Sequence, residues 1–290
     1  MVQLIRKIMG KFIIPAVFIV GMLIFFYPMI GNWLSTKDHY TVISEHNEAL
    51  AKMTEEQKKQ EKKKAAEYNE TLTEEAIPII DPFSDEKEAE DLAESTNMSY
   101  YNVLDIGETM GSIEIPSINV NLPIYHGISD DVLSQGIGHM SNSSFPIGGK
   151  GSHTALTGHR GLPSSKLFRD LDKVEVSEVF YIHTLDETLA YEIDDIQVVL
   201  PSETNWLEMK EDKDYVTLIT CEPYMINTHR ILVRGERIPY DPGVQTASMP
   251  KSKDRAQLIE LALFIGGIIV IILFLFLYAR RIWKRRGWDS

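Results

Sequence analysis

Two uncharged apolar runs limit what this chain can fold into. Residues 12 to 34, FIIPAVFIVGMLIFFYPMIGNWL, carry no charge over 23 positions, and residues 261 to 279, LALFIGGIIVIILFLFLYA, carry none over 19. A bilayer's hydrocarbon core is about 30 Å thick, so either run is long enough to cross it as a helix. The first is longer than the apolar part of a signal peptide and no clear small-x-small cleavage site follows it, so it reads as an uncleaved anchor. The soluble chemistry of the chain then belongs to the residues between the two spans.

The flanking bases orient that middle region. Arg6, Lys7 and Lys11 precede the first span, and Arg280, Arg281, Lys284, Arg285 and Arg286 follow the second. Lys37, Lys251, Lys253 and Arg255 on the opposite flanks weaken this bias without reversing it. Positive charge gathers on the cytoplasmic side, so both termini are expected inside the cell and the middle outside. Between residues 12 and 279 there are 21 bases against 41 acids, a net charge of −20. So acidic a surface excludes nucleic acid and anionic lipid as main partners.

Composition divides the chain further. A cytoplasmic N-terminus (1–11) and a span (12–34) lead into a segment at 35–76 rich in Ala, Glu, Lys and Gln, whose residues 38 to 72 lack Gly and Pro and favour helix. The run KKQEKKK within it reads as a solvated helix face. Pro78 and Pro82 break regular structure in a connecting segment at 77–99, which ends in a short acidic helix candidate. Strand patterns fill 100–240; a linker (241–257), a second span (258–279) and a basic cytoplasmic tail (280–290) complete the chain.

The strand candidates are short and closely spaced. GSIEIPSINVNLPIYHG (111–127) alternates apolar and polar residues, with Pro116 and Pro123 confining it to edges or bends. HTALTGH (153–159), VFYIHTL (179–185), LAYEIDDIQVVL (189–200), DYVTLITC (214–221) and HRILVRGERI (229–238) follow, separated by polar turns. Such spacing predicts an all-β barrel or sandwich.

Cys221 is the one cysteine among 290 residues, so no internal disulfide can staple the fold. It is a small buried hydrophobe, a site of intermolecular pairing, or a nucleophile. If DYVTLITC and HRILVRGER pair across the short loop EPYMINT, Cys221 and Arg230 share one end of the sheet. A fixed cation there favours the thiolate and can hold an oxyanion. His159 ends an apolar strand with glycine on each side of His-Arg, which exposes its ring at a strand-to-loop junction, although a hydrogen-bonded structural histidine satisfies the same pattern. His153 and His159 find no further ligand pattern that would support zinc.

The order His159, Cys221, Arg230, with TLITC closing a strand, resembles the sortase family of cysteine transpeptidases, whose signature is TLxTC with an upstream histidine and a downstream arginine. The likeness extends over most of residues 100 to 238, including GSIEIPSINVNLPIYHG and GIGHMSNSSFPIGGKGSHTALTGHRGLPSSKLFRDLDK. It implies a closed eight-stranded β-barrel with the site at one end. It also implies Cys221 as nucleophile, His159 as general acid and base and Arg230 as stabiliser of the oxyanion or substrate; no cofactor is expected, and no metal-ligand pattern is present in the sequence. Arg160 and Arg234 compete for the arginine role, and spacing favours Arg230. Asp170 and Asp172 read as exposed turn acids rather than partners of His159.

Asp81, Pro82 and Phe83 form the tripeptide DPF, which by itself is an ordinary turn. The resemblance gives it another meaning, because the pilus-assembling class C sortases carry a lid with a similar Asp-Pro-aromatic motif before the barrel and often a C-terminal span. Asp81 is then expected on the catalytic arginine, with Phe83 covering the thiol. The implied activity is cleavage of an LPxTG-like sorting signal through a thioester, followed by transfer to a lysine of another pilin subunit. The alternatives are a housekeeping-type sortase that anchors surface proteins to peptidoglycan, a secreted cysteine protease, and a non-catalytic membrane-tethered scaffold.

Overall fold

The computed structural model describes residues 2–74, 81–83, 100–203, 206–248, 262, 265–271, 273–278 and 280. The acidic helix candidate in 84–99 and residues 281–290 of the basic tail lie outside these. The chain divides into two units, residues 1–31 with 251–290, and residues 32–250.

Helix α1 runs Val2–Lys52. In the first unit its apolar side chains point outward on several sides, with Val17, Ile24 and Phe25 each about two-thirds exposed, an arrangement suited to lipid rather than water. Pro15–Lys52 holds a stretch long and apolar enough to cross a membrane. The second apolar run is helical over a shorter described stretch, Ile265–Tyr278. Within this unit Phe18 stacks on Phe274 with centroids 4.0 Å apart. A Cβ at Gly267 would lie 2.0 Å from the Phe26 ring, so glycine is what permits this approach.

In the second unit the expected N-terminal helical segment is carried by two helices, the end of α1 and a second helix. Helix α2, Glu55–Glu74, begins after a break at Met53 and Thr54. The reason is a reciprocal capping box: the Gln57 amide donates to Thr54 Oγ1 at 3.3 Å, and the Thr54 amide donates to Gln57 Oε1 at 2.8 Å. Lys58 and Lys62 on α2 pair with Asp186, in the turn between two barrel strands, and with Glu187, the first residue of the second of them. Tyr68 donates its hydroxyl to the Ser141 carbonyl at 2.5 Å and sets its ring against Phe145. Part of the lysine-rich face is thereby committed to the barrel.

Eight strands close that barrel: β1 (Gly111–Ile115), β2 (Val120–His126), β3 (Ile137–His139), β4 (Ser152–Thr157), β5 (Val179–Thr184), β6 (Glu187–Val199), β7 (Asp214–Glu222) and β8 (His229–Ile238). Their order around the wall is β1-β2-β3-β4-β7-β8-β6-β5, and β5 pairs back onto β1. The pairs β2–β3 and β4–β7 are parallel; the others are antiparallel. Short α3 (Asp130–Gln135), capped by Ser129, precedes β3, and α4 (Pro242–Ser248) follows β8.

Pro116 opens a 3₁₀ turn between β1 and β2, the bend expected of it. Pro123 departs from the expected edge or bend: it lies within β2, opposite Ser112 of β1 and one residue before β2 begins to pair with β3.

Every residue of β7 from Tyr215 to Cys221 is buried, because both faces of the strand are covered. Val216 and Leu218 join Val233 and Ile113 in the interior core. Ile219 joins Leu232, Ala155 and Met140 in a second cluster on the outer face, against which Phe83 and Trp206 pack. Side chains alternate with period two, so Cys221 shares the outer face with Ile219, and Arg230 shares it with Leu232.

Candidate active site

Cys221 is the penultimate residue of β7 and is 5% exposed. Across the ladder its partner is Arg230, at the start of β8, so the two side chains emerge on the same face of adjacent strands. The parallel pair β4–β7 brings in His159. Thr157 pairs with Ile219 at the end of that ladder, and His159 and Cys221 each lie two residues beyond. Backbone pairing is extended by the Gly158 amide, which donates to the Ile219 carbonyl at 3.1 Å. The Thr220 hydroxyl then donates to the Gly158 carbonyl at 2.7 Å. His159, Cys221 and Arg230 therefore gather at one end of the β4-β7-β8 strip.

Asp81, Pro82 and Phe83 lie over this end. The Arg230 guanidinium donates from Nε to Asp81 Oδ1 at 2.7 Å and from Nη2 to Oδ2 at 2.6 Å, a bidentate pair. Its Nη1 donates to the carbonyls of Asn227 and His229, both at 2.9 Å. The Phe83 ring touches both other groups, with its centroid 5.1 Å from Arg230 Cζ and 5.6 Å from the His159 ring. Buried Pro82 holds the hook against the barrel.

These neighbours set the ionisation of the site. Burial is the main reason the Cys221 thiol is pushed up to about 11; Asp81 adds to the rise, while Arg230 and Arg160 oppose it. Burial also lowers His159, against a smaller upward pull from Asp130. With the tripeptide in place, thiol and imidazole are both neutral near pH 7.

The competing residues have other partners. Arg234 pairs with Asp194 and lies over the Tyr215 ring. His153 donates from Nδ1 to the Glu208 carbonyl at 3.0 Å and meets the Thr217 hydroxyl at 2.8 Å through Nε2. Asp170 pairs with Lys173 at 2.6 Å. Asp172 is more than an exposed turn acid: it holds Arg160 at 2.8 Å. Arg160 itself is 6% exposed and also pairs with Glu222. Sequence reading weighed this arginine only as a rival to Arg230; the signal it passed over was a base directly after the histidine and an acid directly after the cysteine.

Residues 113–238 match the Sortase domain family. Sortase C of Streptococcus pneumoniae has 40% sequence identity and a TM-score of 0.62, covering 69% of this chain and 97% of that one. The chain belongs to the sortase family. Its barrel is thus a sortase barrel, and its enzymatic class is the cysteine transpeptidases. Sortase C2 of Group B Streptococcus Pilus Island 1 is 42% identical with a TM-score of 0.58, over 64% of this sortase and 100% of its own chain. Sortase A of Bacillus anthracis is 31% identical over 150 residues, which is 51% of this sortase and 67% of that protein. The sortase spans about two thirds of the length of the first curated relatives it matches.

Proposed function

We propose that this sortase polymerises pilin: it cleaves an LPxTG-like sorting signal and joins the new carboxyl end to a lysine of another pilin subunit. One observation carries the reading: Asp81 occupies the Nε and Nη2 edge of Arg230 while Phe83 lies against His159. A site built to accept any passing peptide has no use for an internal carboxylate on its arginine, whereas a lid that must be displaced restricts access to an engaged partner. The similarity to a pneumococcal sortase C described by its pilin substrate specificity, and to one encoded in a pilus island, supports the same reading.

The chemistry follows from the residues. With the lid displaced, Arg230 loses Asp81, water reaches the thiol, and both changes lower its pKa. Cys221 as thiolate attacks the Thr–Gly carbonyl carbon, and Arg230 holds the oxyanion or the substrate backbone. Protonated His159 gives its proton to the departing glycine amine, leaving a thioester. The lysine amine of the second subunit then attacks the thioester and delivers a proton to His159. An isopeptide bond forms as the carbon–sulfur bond breaks, and Cys221 is released as thiolate beside the protonated His159. Cys221 and His159 act as an interacting pair, of which only a fraction is correctly ionised at a given moment.

The same reading sets the barrel outside the cell, tethered by α1 and by the apolar helix Ile265–Tyr278, with both termini cytoplasmic. The decisive experiment supplies the full-length sortase with purified pilin. A high-mass ladder supports polymerisation, and a product attached only to peptidoglycan precursor assigns the chain to wall anchoring instead.

A further inference from the structure

Among the described residues, Arg160 is a buried charge that this chemistry does not use. It follows His159 directly, and its partner Glu222 follows Cys221 directly, so their ion pair joins the immediate neighbours of the two reacting residues. Three more contacts fix the guanidinium. Nη2 meets Asp172 at 2.8 Å in the 3₁₀ turn Leu171–Lys173. Nη1 donates to the Cys221 carbonyl at 3.4 Å, and Nε donates to the Arg169 carbonyl at 3.3 Å.

The place of this contact matters. The β4–β7 ladder ends at Thr157 and Ile219, with one last backbone bond from the Gly158 amide to the Ile219 carbonyl. Beyond it the strands are held first by the Thr220 hydroxyl on Gly158 and then by Arg160 on Glu222 and on the Cys221 carbonyl. Side chains carry on where the ladder stops, across the interval that separates His159 from Cys221. We propose that Arg160 is a positioning residue whose guanidinium, clamped by Glu222 and Asp172, fixes the separation of the His159 ring from the Cys221 thiol. The proposal rests on the reading of Cys221 as nucleophile and His159 as proton carrier.

Two further points separate this from simple structural support. Arg160 is bound to Glu222 and Asp172 rather than to Asp81, so displacement of Asp81 leaves the clamp in place. It also acts with Arg230 to draw the Cys221 thiol downward against burial, so its removal alters the titration of the nucleophile and not only the stability of the barrel.

The test compares the full-length protein in detergent as Glu222→Gln, Arg160→Lys, Arg160→Met and the Arg160→Met/Glu222→Gln double variant, with Cys221→Ala as control. Cleavage of a sorting-signal peptide is followed together with the pH dependence of Cys221 alkylation. Glu222→Gln is expected to lower kcat about tenfold with KM within about twofold, because misplaced catalytic groups slow the step without weakening binding. Arg160→Met lowers kcat further and moves the alkylation midpoint upward, and the double variant is no slower than Arg160→Met alone. Parental kcat in Glu222→Gln, or losses that multiply in the double variant, would overturn the clamp. If Arg160→Met does not fold, Glu222→Gln and Arg160→Lys decide: the lysine keeps charge but not the fork, so parental kcat in both sinks the idea. Cleavage that survives in Cys221→Ala refutes the underlying catalytic reading, whereas failure of the clamp alone leaves Cys221→Ala inactive.

Discussion

Cys221 and Arg230 are direct partners in the β7–β8 ladder, and the cation is bound not to the thiol but to Asp81. The sortase therefore rests with its arginine occupied. Burial holds the thiol at about 11, with Asp81 reinforcing the rise. On the proposed reading, the site in this state lacks access and ionisation rather than a residue.

Removing the guard should restore both. In Asp81→Ala the anion that raises the thiol is gone and Arg230 is free to favour the thiolate, so the midpoint of Cys221 alkylation falls from about 11. In Phe83→Ala the ring that lies on His159 and Arg230 is gone, and water enters. Both variants are expected to alkylate at least about tenfold faster at pH 7.5 than the parent, since one pKa unit changes the thiolate fraction about tenfold. Rates equal to the parent's would show that the hook does not occlude the thiol.

Arg230→Lys keeps a positive charge but loses the planar fork that grips Asp81 through two nitrogens. The expected result is a loss of kcat of about 10²-fold, in the range measured when one oxyanion donor is removed, together with faster alkylation as Asp81 is held less firmly. A variant that cleaves peptide at the parental rate would take Arg230 out of the chemistry.

Thr220 is fully buried and its hydroxyl ties β7 to the Gly158 carbonyl. Thr220→Val keeps the shape and leaves that carbonyl short of a partner, at a cost of about 1 to 3 kcal/mol. Denaturant unfolding should show that loss, and peptide cleavage should slow because Gly158 carries His159. Unchanged stability would mean that water replaces the hydroxyl.

Two buried histidines set a pH limit on the fold. Burial lowers His139 to about 3 and His153 to about 4, below the unfolded value near 6.5. The unfolded chain binds more protons between those limits, so their stabilisation is complete above about 6.5 and is lost progressively as pH falls toward 4 and 3. Each contributes at most about 1.4 kcal/mol per pH unit within its window. Unfolding free energy measured from pH 7 to 5 should fall, and His153→Gln should make the slope shallower. An unchanged slope in His153→Gln would contradict the burial account for that residue.

Much of the barrel was legible because alternation is local. The strand predicted at 229–238 is β8, and the one predicted at 179–185 overruns β5 by a single residue. Strand β3 was missed because Ile137–His139 is too short to alternate. The parallel neighbours β4 and β7 are separated by more than fifty residues of chain, and no local pattern encodes such a pairing. Consequently Cys221 and Arg230 could be brought together from a short loop between consecutive strands, whereas the approach of His159 came only from resemblance. Arg160 escaped for a related reason: its partners Glu222 and Asp172 come from two separate segments. The break at Thr54 is readable from Thr54-x-x-Gln57, a capping signature inside the helix-favouring segment.

The central claim is that Cys221 passes an acyl group to a lysine amine. Mass spectrometry of the product formed by the full-length sortase from a sorting-signal peptide and a lysine-bearing pilin tests it most directly. The account predicts a branched peptide in which the signal's threonine carboxyl is joined to a lysine Nζ, absent with Cys221→Ala. Threonine ending in a free carboxylate as the sole product, or a branched product that persists in Cys221→Ala, would contradict it.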